Sequence, residues 1–303
     1  MTGTADVTVE VAGRQVRLSS LDRLMWPSGT TKGELVDYYV RVAPVLLPHL
    51  AARPLTLHRF PEGVTGPHFY QTRCPPHPPW LRTAILSYPR TGKTFQAPVI
   101  DDLAGLVWAA NLAAVEVHPF LGTVAALDSP THLVVDLDPG PPAGLVEACR
   151  VALRVRAVLD DAGLLGVPKT TGGKGLHVFV PLAPGATYDA TKRWARDFAR
   201  GLAADDPAGV TDVMAKARRA GRVFVDWSQN DPGKSTVAPY SPRADGPHPA
   251  ASIPVSWGEV EAVAGSGDPR ALPRRLDEVV ARLETVGDLA AALLGGTQAL
   301  PAL

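Results

Sequence analysis

The chain runs to 303 residues, 46% of them hydrophobic, enough for one large domain or two small ones with a full core. Thirty Lys and Arg balance thirty Asp and Glu, which argues against a protein that coats nucleic acid nonspecifically but leaves room for a local basic groove. Two cysteines, Cys74 and Cys149, without CxxC spacing exclude a disulfide framework; with no membrane-spanning run and no secretory leader pattern, the expectation is a cytoplasmic protein that meets no membrane.

From the N-terminus, DVTVEVAGRQVRLSS alternates Val7, Val9 and Val11, turns at Ala12-Gly13 and resumes with Val16 and Leu18, a hairpin pattern. TKGELVDYYVRVAPVLLPHL carries Leu35, Tyr38, Tyr39, Val42 and Val45 at helical spacing. PLTLHRF predicts a strand, and PEGVTGPHFYQTRCPPHPPW a Pro-rich loop bearing the aromatic pair Phe69 and Tyr70. Two short strands bracket PRTGKT. DDLAGLVWAANLAAVEVHPF predicts one helix with Leu103, Leu106, Val107, Ala110 and Ala114 on one side. HLVVDLD predicts a strand, GLVEACRVALRVRAVLDDAGL an amphipathic helix, and VPKTTGG and GLHVFVPL two further strands. YDATKRWARDFARGLAADD predicts a helix and RVFVDWSQ a strand; LPRRLDEVVARLETV closes the chain as a helix with Leu276, Val279, Val280 and Leu283 inward. Strands and helices interleave irregularly, with no repeat and no long linker. The expectation is an α+β, mixed-sheet fold in a single domain over residues 1–303.

THLVVDLDPG ends an apolar run in Asp136 and Asp138. On a strand Leu133, Val135 and Leu137 share one face, and Val134, Asp136 and Asp138 the other. Two carboxylates side by side raise each other's pKa or bind cations, and hard oxygen donors suit Mg²⁺ or Mn²⁺. For a lone DxD, capping of the next segment or surface ion pairing is the commoner explanation. RVFVDWSQ supplies a third carboxylate, Asp226, between Val225 and Trp227. Three such groups on adjacent strands meet the usual requirement of a two-metal site.

KTTGGKGLHVFVPL places Gly172, Gly173 and Gly175 just before a strand, where backbone N–H groups approach phosphate closely and Lys174 adds charge. It matches neither a Walker A loop nor GxGxxG, and a tight turn is the alternative. His177 follows the loop, and His118 lies in EVHPF; each reads as well as a structural histidine. MAKARRAGRVFVDW gathers Lys216, Arg218, Arg219 and Arg222 before Asp226, a solvated face or a source of one basic group for the site.

Together VVDLDPG, TTGGKGLHV and VFVDWSQN resemble the three motifs of the archaeo-eukaryotic primase superfamily, and most closely the polymerase domain of bacterial ligase D, the end-joining polymerase. The resemblance extends from LDRLMWP through YSPRADGPHPAASIPVSW. It implies a primase-like catalytic core with helices around mixed sheets. The activity implied is metal-dependent, DNA-directed nucleotidyl transfer that fills gaps and break ends and prefers ribonucleotides. By the same resemblance Asp136, Asp138 and Asp226 hold two Mn²⁺ or Mg²⁺ ions. Thr171, Lys174, His177, Gln229 and Arg243 meet the nucleotide's triphosphate, and His118 sits near its sugar. Arg219 matches an arginine that touches the catalytic aspartates, Arg23 and Lys32 a pair that grips a 5′-phosphate, and Phe69 and Tyr70 an aromatic pair against template bases. Implied partners are gapped or broken DNA with a 5′-phosphate, NTPs or dNTPs, and Ku with a separate DNA ligase, since no ligase or nuclease module accompanies the domain; the implied place is the nucleoid.

Three departures stand out. Thr171 replaces a usual serine, Tyr70 a second phenylalanine, and His58 an expected lysine. Two rival readings remain at this level. The hhhDxDPG string also resembles the nucleophile strand of haloacid-dehalogenase-like phosphatases, although Gly140 stands where Thr or Val is usual and Asp226 goes unused. A DNA-end-bridging module with a decayed metal site is the other; the presence of all three aspartates argues against it.

Overall fold

The computed structural model describes residues 6–87 and 91–301. The first hairpin forms as expected. β1 (Val7–Val11) pairs antiparallel with β2 (Arg14–Leu18), and Ala12 and Gly13 turn it with φ of 49° and 74°, the left-handed pair that a tight hairpin demands. α1 (Lys32–Leu50) opens on a capping box. Thr31 accepts from the Glu34 amide at 3.2 Å, and the Glu34 carboxylate accepts from the Thr31 amide at 2.7 Å. Its Leu35, Tyr38, Tyr39, Val42 and Leu46 are buried.

β3 (Leu55–Arg59) pairs with β4 (Phe69–Gln71), which arises inside the segment expected to be loop. Its aromatic residues suit a pleated edge, and the flanking prolines keep it short. β5 (Thr83–Ser87) and β6 (Thr94–Pro98) form the hairpin expected around PRTGKT; Pro89 and Arg90 lie outside the described residues.

The single helix expected over 101–120 is instead α2 (Leu103–Asn111) followed by β7 (Ala114–Pro119). Ala113, with φ of 57°, breaks the helix. Beyond it Val115 and Val117 alternate with Glu116 and His118, a period of two that the helical reading overran.

A small hairpin of β8 (Gly122–Thr123) and β9 (Ala126–Pro130) leads to β10 (His132–Pro139), then α3 (Leu145–Asp161), β11 (Val167–Thr170), β12 (Leu176–Pro181) and α4 (Tyr188–Asp205). β13 (Val210–Thr211) and β14 (Val223–Val225) follow. The late strand is shorter than expected: Asp226 lies just past it and caps a 3₁₀ turn over Trp227–Asn230. β15 (Pro242–Arg243), β16 (Ala250–Ala251), α5 (Trp257–Ser266) and α6 (Leu276–Val286) complete the chain.

The result is the α+β, mixed-sheet class that the sequence predicts, built on two sheets. One has five strands in the order β11-β12-β10-β14-β13, antiparallel except for β13 beside β14. The other has three, β4-β3-β7, all antiparallel. β10 alternates as its sequence requires. Leu133, Val135 and Leu137 join a core with residues of α3, α4 and α5, such as Leu145, Val155, Phe198 and Val260. Val134, with Val167 and Phe179, turns the other way into a second core that contains α1, β3 and β7. Burying each such Val or Leu contributes roughly 1.5–3 kcal/mol, so the register of β10 is strongly fixed. Its two carboxylates emerge on the side that faces the smaller sheet.

Candidate active site

A cleft of about 490 Å³ opens between the two sheets. Asp136, Asp138 and His177 line it from the five-stranded sheet, and Thr56, Tyr70, Thr72 and His118 from the three-stranded one; Thr171, Gln229 and Arg243 close its ends. A neighbouring cleft of about 420 Å³ shares Asp138 and Thr171 and carries Lys174, Lys216 and Arg219.

The aspartates converge as strand geometry dictates. With Leu137 opposite Val225, β14 brings Asp226 level with Asp136, whose carbonyl accepts from the Asp226 amide at 2.9 Å. Asp136 is 4% exposed. Burial, then the charge of Asp226, pushes its carboxyl up to about 7; burial and then Asp136 push Asp138 up to about 6. The Asp136 Oδ2 accepts from Gln229 Nε2 at 3.2 Å. Its Oδ1 is enclosed without a hydrogen bond, although His177 Nε2 lies 3.2 Å away; the alignment, not the distance, is wanting. One oxygen of Asp226 is committed to its capping role, accepting from Ser228 N at 2.9 Å and Ser228 Oγ at 2.6 Å. A buried carboxylate with an orphaned oxygen, flanked by two further carboxylates, is a hard-oxygen donor set fitted to a divalent cation.

The second titratable cluster was missed at the sequence level. Glu116 and His118 project from β7 on the face that bears His58 of β3, their cross-strand register setting His58 opposite Glu116 and Thr56 opposite His118. Glu116 Oε2 accepts from His118 Nε2 at 2.8 Å and Arg243 Nη1 at 2.9 Å, with His58 Nδ1 at 3.1 Å, and Oε1 accepts from the Ala244 amide at 3.1 Å. Ligand atoms of His58, Glu116 and His118 all lie within 4.8 Å of one another. A guanidinium already sits on the shared oxygen, however, and supplies the positive charge a metal would bring. His58 is buried in this network and stacked under Tyr70, ring centroids 3.9 Å apart. It therefore serves the cleft floor instead of reaching a phosphate as the expected lysine would.

The glycine loop is pinned by Thr171, whose hydroxyl donates to the Gly175 carbonyl at 3.2 Å and accepts from the Gly175 amide at 3.2 Å. Gly172 has φ of 83°, and a Cβ there would meet Arg243 Cγ at 2.4 Å. Only glycine fits both the backbone and the gap. Lys174 faces the neighbouring cleft, together with Arg219. The Arg219 guanidinium lies 3.6 Å over the Phe224 ring and donates to the Met214 carbonyl at 2.6 Å, and its charge bears on Asp138. Two buried partners escaped notice altogether. Lys169, 1% exposed, donates to Ser252 Oγ at 2.6 Å, and its charge acts on both Asp136 and His177. Asn230 ties the 3₁₀ turn to β10 by accepting from the Val134 amide at 2.9 Å.

Away from the cleft, Lys32 and Arg23 come together as expected. Lys32 is 3% exposed, its ammonium donates to the Asn111 carbonyl and Oδ1 at 3.0 Å each, and burial, then Arg23, lowers it to about 8. Arg23 is exposed and donates to the Pro61 carbonyl. Phe69 and Tyr70 do not form one platform. Successive strand residues face opposite ways: Tyr70, 61% exposed, lines the cleft, and Phe69 lies beneath the Arg59 guanidinium at 5.4 Å.

Comparison with known proteins places this arrangement. The family model described as LigD, primase-polymerase domain, matches residues 31–290. The multifunctional non-homologous end joining protein LigD of Mycolicibacterium smegmatis is 39% identical over 283 residues, 92% of this chain and 36% of that protein. That of Mycobacterium bovis is 41% identical over 286 residues, 91% of this chain and 36% of its own length. The chain thus spans about a third of these curated relatives. A solved structure of the polymerase domain from Mycobacterium tuberculosis ligase D in complex with DNA superposes with a TM-score of 0.84 at 38% identity, covering 92% of this chain and 98% of that one. Among the described residues no helix is long and apolar enough to cross a membrane.

Proposed function

The chain belongs to the LigD primase-polymerase domain family, and from that premise we propose that its cleft extends DNA 3′-ends at gaps and breaks by metal-dependent, DNA-directed nucleotidyl transfer. The observation that carries this is the pairing of Asp136 with Asp226, whose charge bears on Asp136, at a cleft that Asp136 and Asp138 line across from Tyr70 and His118 with Arg243 at its end.

In this reading Asp136, Asp138 and Asp226 hold two divalent ions, Mn²⁺ or Mg²⁺. When bound, these supply Lewis acidity at the 3′-hydroxyl and the leaving phosphates. The remaining work belongs to the chain. Arg243 neutralises charge on the triphosphate, joined by Lys174 from the adjoining cleft. Gln229 holds Asp136 by its hydrogen bond, and His177, across the strand pair from it, meets the nucleotide's phosphates. Thr171 fixes the glycine loop against Arg243. Tyr70 offers its exposed ring to a base, and Arg219 stands beside Asp138 to steady it until the ions arrive. Lys32, with one ammonium proton still uncommitted, and Arg23 grip the 5′-phosphate beyond the gap, while Phe69 meets the template. Ribonucleotide preference, participation in non-homologous end joining, and work alongside Ku and a DNA ligase belong to the same proposal. A haloacid-dehalogenase-like phosphatase or a non-catalytic bridging module leaves the Asp226 pairing and the Glu116 network without a role.

The test is single-nucleotide extension on a gapped, 5′-phosphorylated duplex with NTPs and dNTPs in Mn²⁺ or Mg²⁺. Extension that disappears without metal supports the proposal. Hydrolysis of an aryl phosphate without any extension overturns it.

A further inference from the structure

His58 occupies the middle of a cross-strand row. On β3 it stands opposite Tyr70 of the edge strand β4 and opposite Glu116 of β7, and side chains so paired on one face of a sheet touch. The imidazole lies flat against the Tyr70 ring, centroids 3.9 Å apart and planes inclined by 16°. It is also held at both of its nitrogens. Nε2 shares a hydrogen bond of 2.9 Å with His68 Nδ1, and Nδ1 sits 3.1 Å from Glu116 Oε2. His68 in turn stacks on buried Phe60, 5.0 Å from centroid to centroid, and Phe60 leans on His58 at 4.3 Å. The floor under Tyr70 is therefore a braced ring.

Tyr70 needs such a floor. It belongs to a strand of three residues that is hydrogen-bonded on one side only, and it is exposed where it lines the cleft. A ring so placed swings between rotamers, and stilling it when a ligand arrives costs affinity. With one face covered by His58, the exposure that remains is on the opposite face, where a flat aromatic partner fits. We propose that His58 is a positioning residue that, clamped between His68 and Glu116, holds the Tyr70 ring ready as the stacking platform for a nucleotide base. The proposal rests on the polymerase reading and adds to it the residue that presets base affinity. A lysine at this place has no flat face to offer. The imidazole gives up a phosphate contact and gains a rigid layer beneath the base.

Single-nucleotide extension on a gapped, 5′-phosphorylated duplex gives KM and kcat for ATP opposite a template thymine. Inhibition of that reaction by a base-free ribose triphosphate gives the affinity for sugar and phosphates alone. His58→Ala should raise the KM for ATP by roughly 2- to 10-fold, the worth of one ring stack, and leave the inhibition constant within about twofold of wild type. His58→Phe keeps a flat ring and should restore KM. His58→Leu, which fills the space without a flat face, should repeat the alanine loss and stands in for it if the alanine variant does not fold. In a Tyr70→Ala background the His58→Ala change should add no further loss. A KM and an inhibition constant that rise together mean that His58 merely supports the fold, and they overturn the proposal. So does a loss that persists without Tyr70, or a KM that none of the changes moves while the wild type extends primers. Each of these leaves the polymerase reading standing. A wild type that extends nothing overturns that reading, and this proposal falls with it.

Discussion

Asp226 stands level with Asp136 across the β10–β14 pair, its amide donating to the Asp136 carbonyl at 2.9 Å. The backbone bond that joins the strands thus brings two like charges together, where burial already disfavours that of Asp136. Asp136→Asn removes a charge that the metal-free protein holds at a cost. We expect primer extension to fall at least 10³-fold, on the order of the loss of an essential electrostatic group. The metal-free variant should melt at or above the wild-type temperature at pH 8. A lower melting point would mean that Asp136 is chiefly structural.

Lys32 gives a pH signature. Its folded pKa, about 8, lies below the ordinary lysine value because burial and then Arg23 oppose the charge. The ammonium predominates below pH 8, half of it is gone at about 8, and it is lost above that. Preference for a 5′-phosphorylated over a 5′-hydroxyl gap should therefore weaken from pH 7 to pH 9, the midpoint moving up when phosphate is bound. Folding linkage runs in the opposite sense: the folded chain gives up this proton before the unfolded one, so this group adds stability as pH rises from about 8 towards 10.5. Binding titrations at the two pH values check the first statement, and Lys32→Met should flatten the profile.

Gly172→Ala places a methyl 2.4 Å from Arg243 Cγ at a backbone φ of 83°. The left-handed conformation alone costs about 1–2 kcal/mol. Because Arg243 must move, the nucleotide KM should rise, by roughly tenfold for one charge-assisted contact. Comparison of KM with kcat shows whether the defect lies in binding.

Tyr70 and Phe69 should separate cleanly. Loss of a base-stacking ring costs about 1–3 kcal/mol, so Tyr70→Ala should raise the nucleotide KM, while Tyr70→Phe stays within about twofold of wild type. Phe69→Ala, on the other face of β4, should weaken DNA binding and leave the nucleotide KM alone. Matching effects of the two alanine variants on nucleotide KM would contradict the facing seen in β4.

Much of this was legible in the chain because period-two alternation is unambiguous where one face is apolar. HLVVDLD fixes which way Asp136 and Asp138 point, whereas the pairing that sets His177 opposite Asp136 belongs to the sheet and not to GLHVFVPL alone. The same rule, left unapplied, hid the rest. LAAVEVHPF continues the apolar spacing of α2 through Ala114 and so reads as the tail of a helix, which hides the face that Glu116 shares with His118. In a segment that reads as a loop Phe69 and Tyr70 pass for one aromatic pair, but on a strand adjacent residues diverge. No local pattern could have revealed Lys169 or Asn230, whose partners lie 83 and 96 positions away. The charge of Lys174 is plain in the sequence, but charge does not say on which side of a loop a side chain emerges.

The cleft is a seam between two separately packed bodies, and neither holds a whole site. Groups that would grasp base and sugar ride on one, and those that would hold the reacting phosphorus ride on the other. Only a few side chains from the larger sheet, Val134, Val167 and Phe179, cross over to join the opposite core. Their fit sets how the halves line up, so a slip of about an ångström at these distant apolar contacts misaligns the reactants as surely as damage to a carboxylate.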